Sequence, residues 1–167
     1  MQRITPTSIA LSISIIMGCG FLAQGYSLAG LDSFLRWFLF FGLFWLAALY
    51  NHWDWFSAIA LIHTILASAL GLWVDLHSGW LIAASIFSLI AWDLTEFRRQ
   101  TRAMPKDNLR RLEQRHLARL SILAFAGLTF ASLLLFLRGQ FTMDWGLSFI
   151  VITILLLGQF IIGLKTK

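Results

Sequence analysis

Residues 92–119 read WDLTEFRRQTRAMPKDNLRRLEQRHLAR, and eight of the chain's thirteen Lys and Arg residues lie within them, from Arg98 to Arg119. On either side the sequence turns apolar for the length of a helix. A segment this basic between two apolar runs does not belong in hydrocarbon, and short loops rich in Lys and Arg are retained on the cytoplasmic side of a membrane. The connection 98–115 therefore marks one face of a membrane protein, and the rest of the chain can be read outward from it.

A spanning helix needs roughly 20 mostly apolar residues at about 1.5 Å of rise each. Toward the N-terminus four stretches meet or approach that length: Gly79 to Phe97, Trp55 to Val74, Ser33 to Tyr50 and Thr7 to Leu28. Toward the C-terminus lie His116 to Leu137 and Trp145 to Leu164. Apart from the basic segment the connections are short (Ala29 to Asp32, Asn51 to Asp54, Asp75 to Ser78, Arg138 to Asp144), so successive helices are antiparallel neighbours. With the N-terminus inside, eleven of the thirteen cationic residues fall on the cytoplasmic side, Arg3, Lys165 and Lys167 among them, and only Arg36 and Arg138 fall outside. The expected fold is thus an all-α, polytopic bundle of six transmembrane helices with both termini cytoplasmic, forming one domain over residues 1–167. An odd number of spans would separate the basic loop from one terminus.

Composition agrees. Of the 167 residues 59% are hydrophobic and 13% charged, the mean hydropathy is +0.77, and there are eight Trp and fifteen Phe. These values lie outside the soluble range, and aromatic rings suit the interfacial belts of a bilayer. Cys19 is the single cysteine, which excludes an intrachain disulfide, a CxxC pair and a cysteine metal site. The first apolar segment reads as a retained signal anchor rather than a removed signal peptide. A net charge of +5 beside membrane spans points to anionic lipid headgroups, not nucleic acid. A plasma or inner membrane is the expected location.

Pro105 breaks the long connection, and Asp107 or Asn108 can cap a new helix. After it, Leu109, Leu112, His116 and Leu120 share one face, and Arg110, Arg111, Arg115 and Arg119 the other. The fifth helix is therefore expected to begin in the cytoplasm or headgroup layer and to become wholly apolar at Ser121. Together with Arg98, Arg99 and Arg102 these arginines make a basic cytoplasmic patch able to dock lipid or a protein partner.

Ionisable groups within hydrocarbon cost roughly 2.5 to 3.5 kcal/mol each on insertion scales, so the few present need a reason. His63 lies about nine residues into the third span, with Ala60, Ala67 and Gly71 on the same face. Small neighbours allow close approach of another helix, so His63 is expected to point into the bundle, hydrogen-bonded there or acting as a ligand or proton relay. Asp93, His116 and Gln159 are further buried polar candidates. Asp93 and Glu96 are three residues apart at the end of the fourth span, as are Glu113 and His116 at the start of the fifth, so each pair projects to one side of its helix. An Asp-x-x-Glu facing a Glu-x-x-His resembles the carboxylate sites of di-iron helical bundles, which implies a metal such as Fe, Mn or Zn held by Asp93, Glu96, Glu113 and His116. The competing reading is an interhelical ion-pair network, because Arg98, Arg99, Arg102, Arg115 and Arg119 form good bidentate pairs with the same carboxylates. Arg36 has Asp32 four residues earlier and can snorkel outward. His52, Asp54, Asp75 and His77 read as solvated turn residues.

In the first span Ala10, Ser14 and Gly18 repeat every four residues, a stripe suited to close packing within the bundle or between copies. Trp53-Asp54-Trp55 and Met143-Asp144-Trp145 open the third and sixth spans, which run in opposite directions, as a vestigial inverted repeat would require. Haem is disfavoured because His63 and His116 lie at different depths, and no cofactor is expected. No Gly-x-Ser-x-Gly, phosphate-cradling glycine loop, His-Glu-x-x-His or histidine box occurs, which removes support from common intramembrane hydrolase and oxygenase chemistry. In helix number, size and first-span stripe the chain resembles the substrate-capture subunits of energy-coupling-factor vitamin transporters, and that architecture implies small-molecule transport. Three functions stand: a non-catalytic accessory, assembly or structural component of a membrane complex; a small-molecule transporter or its membrane-embedded binding subunit; and a metal-dependent membrane enzyme. The first is preferred, so catalysis is not expected.

Overall fold

The computed structural model describes residues 6–102 and 106–137, and every element among them is an α-helix: α1 (Pro6–Ser27), α2 (Asp32–Tyr50), α3 (Phe56–Trp73), α4 (Ser78–Thr101) and α5 (Lys106–Leu137). All five are long and apolar enough to cross a membrane, α5 through its portion Leu112–Leu137, as a small integral membrane protein requires. The expected sixth span, Trp145 to Leu164, lies outside the described residues, as do Arg3, Pro105, Arg138, Gln159, Lys165 and Lys167. Helix α4 continues four residues past the expected end of its span, and α5 begins at Lys106, ten residues before the apolar run that the sequence defines. The chain divides into two compact units, Met1–Arg102 and Ala103–Lys167.

In the first unit α1 packs against α4 and α2, and α4 against α3, with lighter contacts of α3 with α1 and α2. Neighbours are antiparallel: Gly18 lies beside Ser88 and Gly25 beside Leu81, while Ser57 meets Thr95 and Gly71 meets Leu81. Lipid supplies no hydrophobic force between helices, so close packing and interhelical hydrogen bonds must hold such a bundle. Small residues provide the first. Ala10, Ser14 and Gly18 are all buried, so the stripe seen in the sequence is spent inside this unit. A β-carbon on Gly18 would lie 2.9 Å from Ser88 Oγ and 3.4 Å from the Ala84 carbonyl, so α1 and α4 nearly touch there. On the other side of α1, a β-carbon on Gly42 of α2 would lie 3.0 Å from the Cys19 β-carbon. Tyr26 provides the second, its buried hydroxyl donating to the Ala67 carbonyl across α1 and α3 at 2.8 Å. Around that bond Leu22, Phe38, Leu81 and Ala84 close a core.

The three short turns of this unit share one construction. After α1, α2 and α3 a single residue adopts positive φ: Gly30 (77°), His52 (62°) and Asp75 (56°). The next amide then reaches back to a carbonyl five residues earlier, Leu31 to Tyr26 at 3.2 Å, Trp53 to Ala48 at 2.9 Å and Leu76 to Gly71 at 2.9 Å. This is the Schellman closure, which satisfies the last carbonyls of a helix and reverses the chain within a few residues. Only at Gly30 does the residue type announce it; His52 and Asp75 accept the left-handed region at some strain.

Apolar side chains face outward on every helix of the unit, including Ile16 of α1 (57% exposed), Phe40 of α2 (70%) and Leu66 of α3 (58%). Exposure on this scale suits a lipid surrounding. Exposed aromatics gather at both ends of the unit: Tyr50, Trp53 and Trp55 at the end holding the α2–α3 turn, Trp37 and Trp73 toward the other. The 18 residues of α3 between Trp55 and Val74 rise about 27 Å, close to the thickness of bilayer hydrocarbon.

In the second unit α5 buries Ala124, Leu128, Ala131 and Leu135, a stripe with helical spacing, and exposes Ile122, Leu123, Phe130 and Leu133.

Candidate functional site

The largest group of ionisable side chains in the first unit, His52, Asp54, Asp93, Glu96, Arg98, Arg99 and Arg102, lies where the α2–α3 turn meets the last turns of α4. The left-handed conformation of His52 turns the chain so that Asp54 comes under the end of α4. Arg102, just past that end, grips Asp54 with both η nitrogens, Nη1 to Oδ2 at 2.9 Å and Nη2 to Oδ1 at 3.0 Å. Its Nη2 also lies 3.4 Å from His52 Nδ1. Asp54 keeps only 12% of its side-chain surface and Arg102 42%, so half of this bidentate pair is shielded. Such geometry adds directional hydrogen bonding to charge. With Arg102 partly in solvent, the net contribution is on the order of 1 kcal/mol. The sequence leaves His52 and Asp54 as solvated turn residues; the structure places them against Arg102, and nothing local in the sequence announces a partner 48 residues away.

Glu96 is engaged along its own helix, with Arg99 at 2.8 Å and the Gln100 amide donating to it at 3.1 Å. Asp93 and Arg98 are half-buried on α4. Just inside this end two buried hydroxyls join α3 to α4, Ser57 donating to Thr95 at 3.2 Å and Thr95 donating to the Ala91 carbonyl at 2.8 Å.

Glu113 and His116 belong to the second unit, half-buried on α5, with Arg115 and Arg119 exposed; Arg110 and Arg111 fall outside the described side chains. Asp93 with Glu96 thus lies in one compact unit and Glu113 with His116 in the other. Among the described residues no group of three or more His, Cys, Asp and Glu side chains is placed to hold a metal ion. The pairs Asp93/Glu96 and Glu113/His116 each supply two donor groups on one helix; of these four, Glu96 is bonded to Arg99 and Gln100, and Asp93 and His116 each make a further interaction.

His63 sits deeper. Ala60, Thr64, Ala67 and Gly71 form the buried face of α3, and His63 lies at the edge of that face, in the seam with α2. Its ring stands 4.5 Å from Phe41 and 6.4 Å from Phe38 by centroids. Its Nε2 is buried without a hydrogen-bond partner, as is Nε1 of the fully buried Trp45 on α2. The sequence singles out His63 as an ionisable residue type within a span; Trp45 escapes notice because it is one of eight Trp residues. No protein-family model, curated protein or solved structure matches the chain.

Proposed function

We propose that the chain is a six-span integral membrane protein, both termini cytoplasmic, that acts without catalysis as an accessory or assembly component of a membrane complex. The observation that carries this reading is the Arg102–Asp54 clamp, a bidentate charged contact that ties α4 to the α2–α3 turn. Glu96, Arg99 and Gln100 likewise bond to one another. Charge used in this way fixes helix ends rather than presenting groups to a substrate.

The aromatic residues at both ends of the first unit support a membrane position with this polar end at one headgroup layer. The cytoplasmic assignment rests on the distribution of Lys and Arg, of which Arg98, Arg99 and Arg102 stand at that end. Exposed Arg115 and Arg119 on α5 suit anionic headgroups or an acidic partner surface. Native mass spectrometry of the gently solubilised protein tests the reading. A defined larger assembly is expected; a lone monomer stabilised by a transported solute, or one that turns over a substrate, overturns it.

A further inference from the structure

We infer that the seam between α2 and α3 binds a lipid-soluble ring compound carrying carbonyl oxygens, of the benzoquinone class. Two buried nitrogens without partners, His63 Nε2 and Trp45 Nε1, flank one ring, Phe41, at centroid distances of 4.5 Å and 6.2 Å. Phe38 and Phe56 extend the same aromatic wall, 6.4 Å from His63 and 6.2 Å from Phe41 respectively.

Polar groups at this depth have no water to turn to, so each must find a partner or remain costly. Several hydroxyls in the same bundle solve this locally, Ser14, Thr64, Ser85 and Thr95 each donating to the carbonyl four residues before, whereas Thr7, Ser68 and Ser88 are buried without a partner although a carbonyl of their own helix is the usual recourse of such a hydroxyl. Imidazole and indole rings are too rigid and too long to return to their own backbone, so their partner has to come from elsewhere. Indole Nε1 only donates, and neutral imidazole Nε2 donates in one of its tautomers. The complementary ligand is therefore an acceptor at two points. Ring walls favour a flat molecule that can lie offset or edge-on to Phe41. Phe40 and Ile62, next in sequence to Phe41 and His63, are 70% and 58% exposed and apolar, which offers a route through lipid rather than water. A flat, apolar dicarbonyl ring satisfies all of these conditions together.

The test uses the full chain in lipid nanodiscs with a short-chain alkyl-1,4-benzoquinone as the probe, measuring quinone held above the amount in protein-free nanodiscs of the same lipid. Saturation at one per chain is expected. Because an unpaired buried donor or a lost acceptor contact weighs heavily, His63→Phe and Trp45→Phe each weaken binding by at least about tenfold. His63→Gln, which keeps an N–H, stays within about threefold of the unsubstituted protein by the same reasoning. Helix content by circular dichroism identifies a variant that misfolds, in which case the remaining two substitutions decide. Uptake that never saturates, or saturates equally in the parent and all folded variants, overturns the proposal.

Discussion

Two glycines of α1, two residues apart, should respond to the same substitution in opposite directions. Gly20 faces open space, with nothing within 4 Å of an added β-carbon. Gly20→Ala therefore only removes backbone freedom from the unfolded chain and should stabilise by up to about 1 kcal/mol. At Gly18 the new β-carbon meets Ser88 Oγ at 2.9 Å, closer than such atoms come, and the Ser88 backbone nitrogen at 3.3 Å. Rotation of the Ser88 hydroxyl relieves the first contact but not the second, so α1 and α4 must part by a few tenths of an ångström along their tightest crossing. Overpacking of this kind costs about 1–3 kcal/mol, less up to about 1 kcal/mol regained from helix propensity. Gly18→Ala should thus destabilise by roughly 1–2 kcal/mol. Adding Ser88→Ala, which deletes the atom at 2.9 Å, should recover part of that loss, giving a coupling of about 0.5–1 kcal/mol. Titration of the detergent-solubilised chain with SDS, followed by circular dichroism, measures the parent, Gly20→Ala, Gly18→Ala, Ser88→Ala and the Gly18→Ala/Ser88→Ala double variant. Equal effects of Gly18→Ala and Gly20→Ala would refute the α1–α4 packing.

Other expectations follow from single contacts. Tyr26→Phe removes the hydroxyl that bonds the Ala67 carbonyl and should lower SDS resistance by about 1 kcal/mol, with helix content unchanged. Arg102→Ala and Asp54→Ala should be less than additive, with a coupling on the order of 1 kcal/mol that shrinks as salt is raised, measured by a double-mutant cycle at two ionic strengths. At the opposite turn, Asp75→Gly should stabilise by roughly 0.5 kcal/mol and Asp75→Val destabilise by about 1–2 kcal/mol in the same titration, since β-branched residues resist a φ of 56°.

Span positions were legible in the sequence because hydropathy over about 20 residues averages out local detail. The first four helices start and stop within one or two residues of the apolar boundaries, except where α4 runs on to Thr101. That extension has a physical reason: Glu96, Arg99 and Gln100 bond to one another on the helix surface, and Thr101 donates to the Phe97 carbonyl, so polar residues prolong a helix beyond its apolar part. The first-span stripe was legible because small residues every four positions have few other uses in a membrane. Turn chemistry was not, since His52 and Asp75 occupy positions where glycine is the usual signal. Nor was the Arg102–Asp54 pair, because hydropathy carries no information on which helix ends meet. His63 stood out as an ionisable residue type in an apolar span, yet its seat against the α2 rings, one position off the small-residue face of α3, depends on helix rotation that sequence spacing alone leaves open.

The central claim is orientation: the end holding the α2–α3 turn and the C-terminus both face the cytoplasm. Cys19 is 3% exposed within α1 and offers a silent background for single-cysteine labelling. Ala29→Cys, Asn51→Cys and Lys167→Cys, each treated with a membrane-impermeant maleimide on intact cells and again after permeabilisation, measure it directly. Labelling of Ala29→Cys in intact cells, and of Asn51→Cys and Lys167→Cys only after permeabilisation, is the predicted result. Labelling of Lys167→Cys in intact cells while Asn51→Cys stays protected would contradict the six-span account, and labelling of Asn51→Cys in intact cells would invert it.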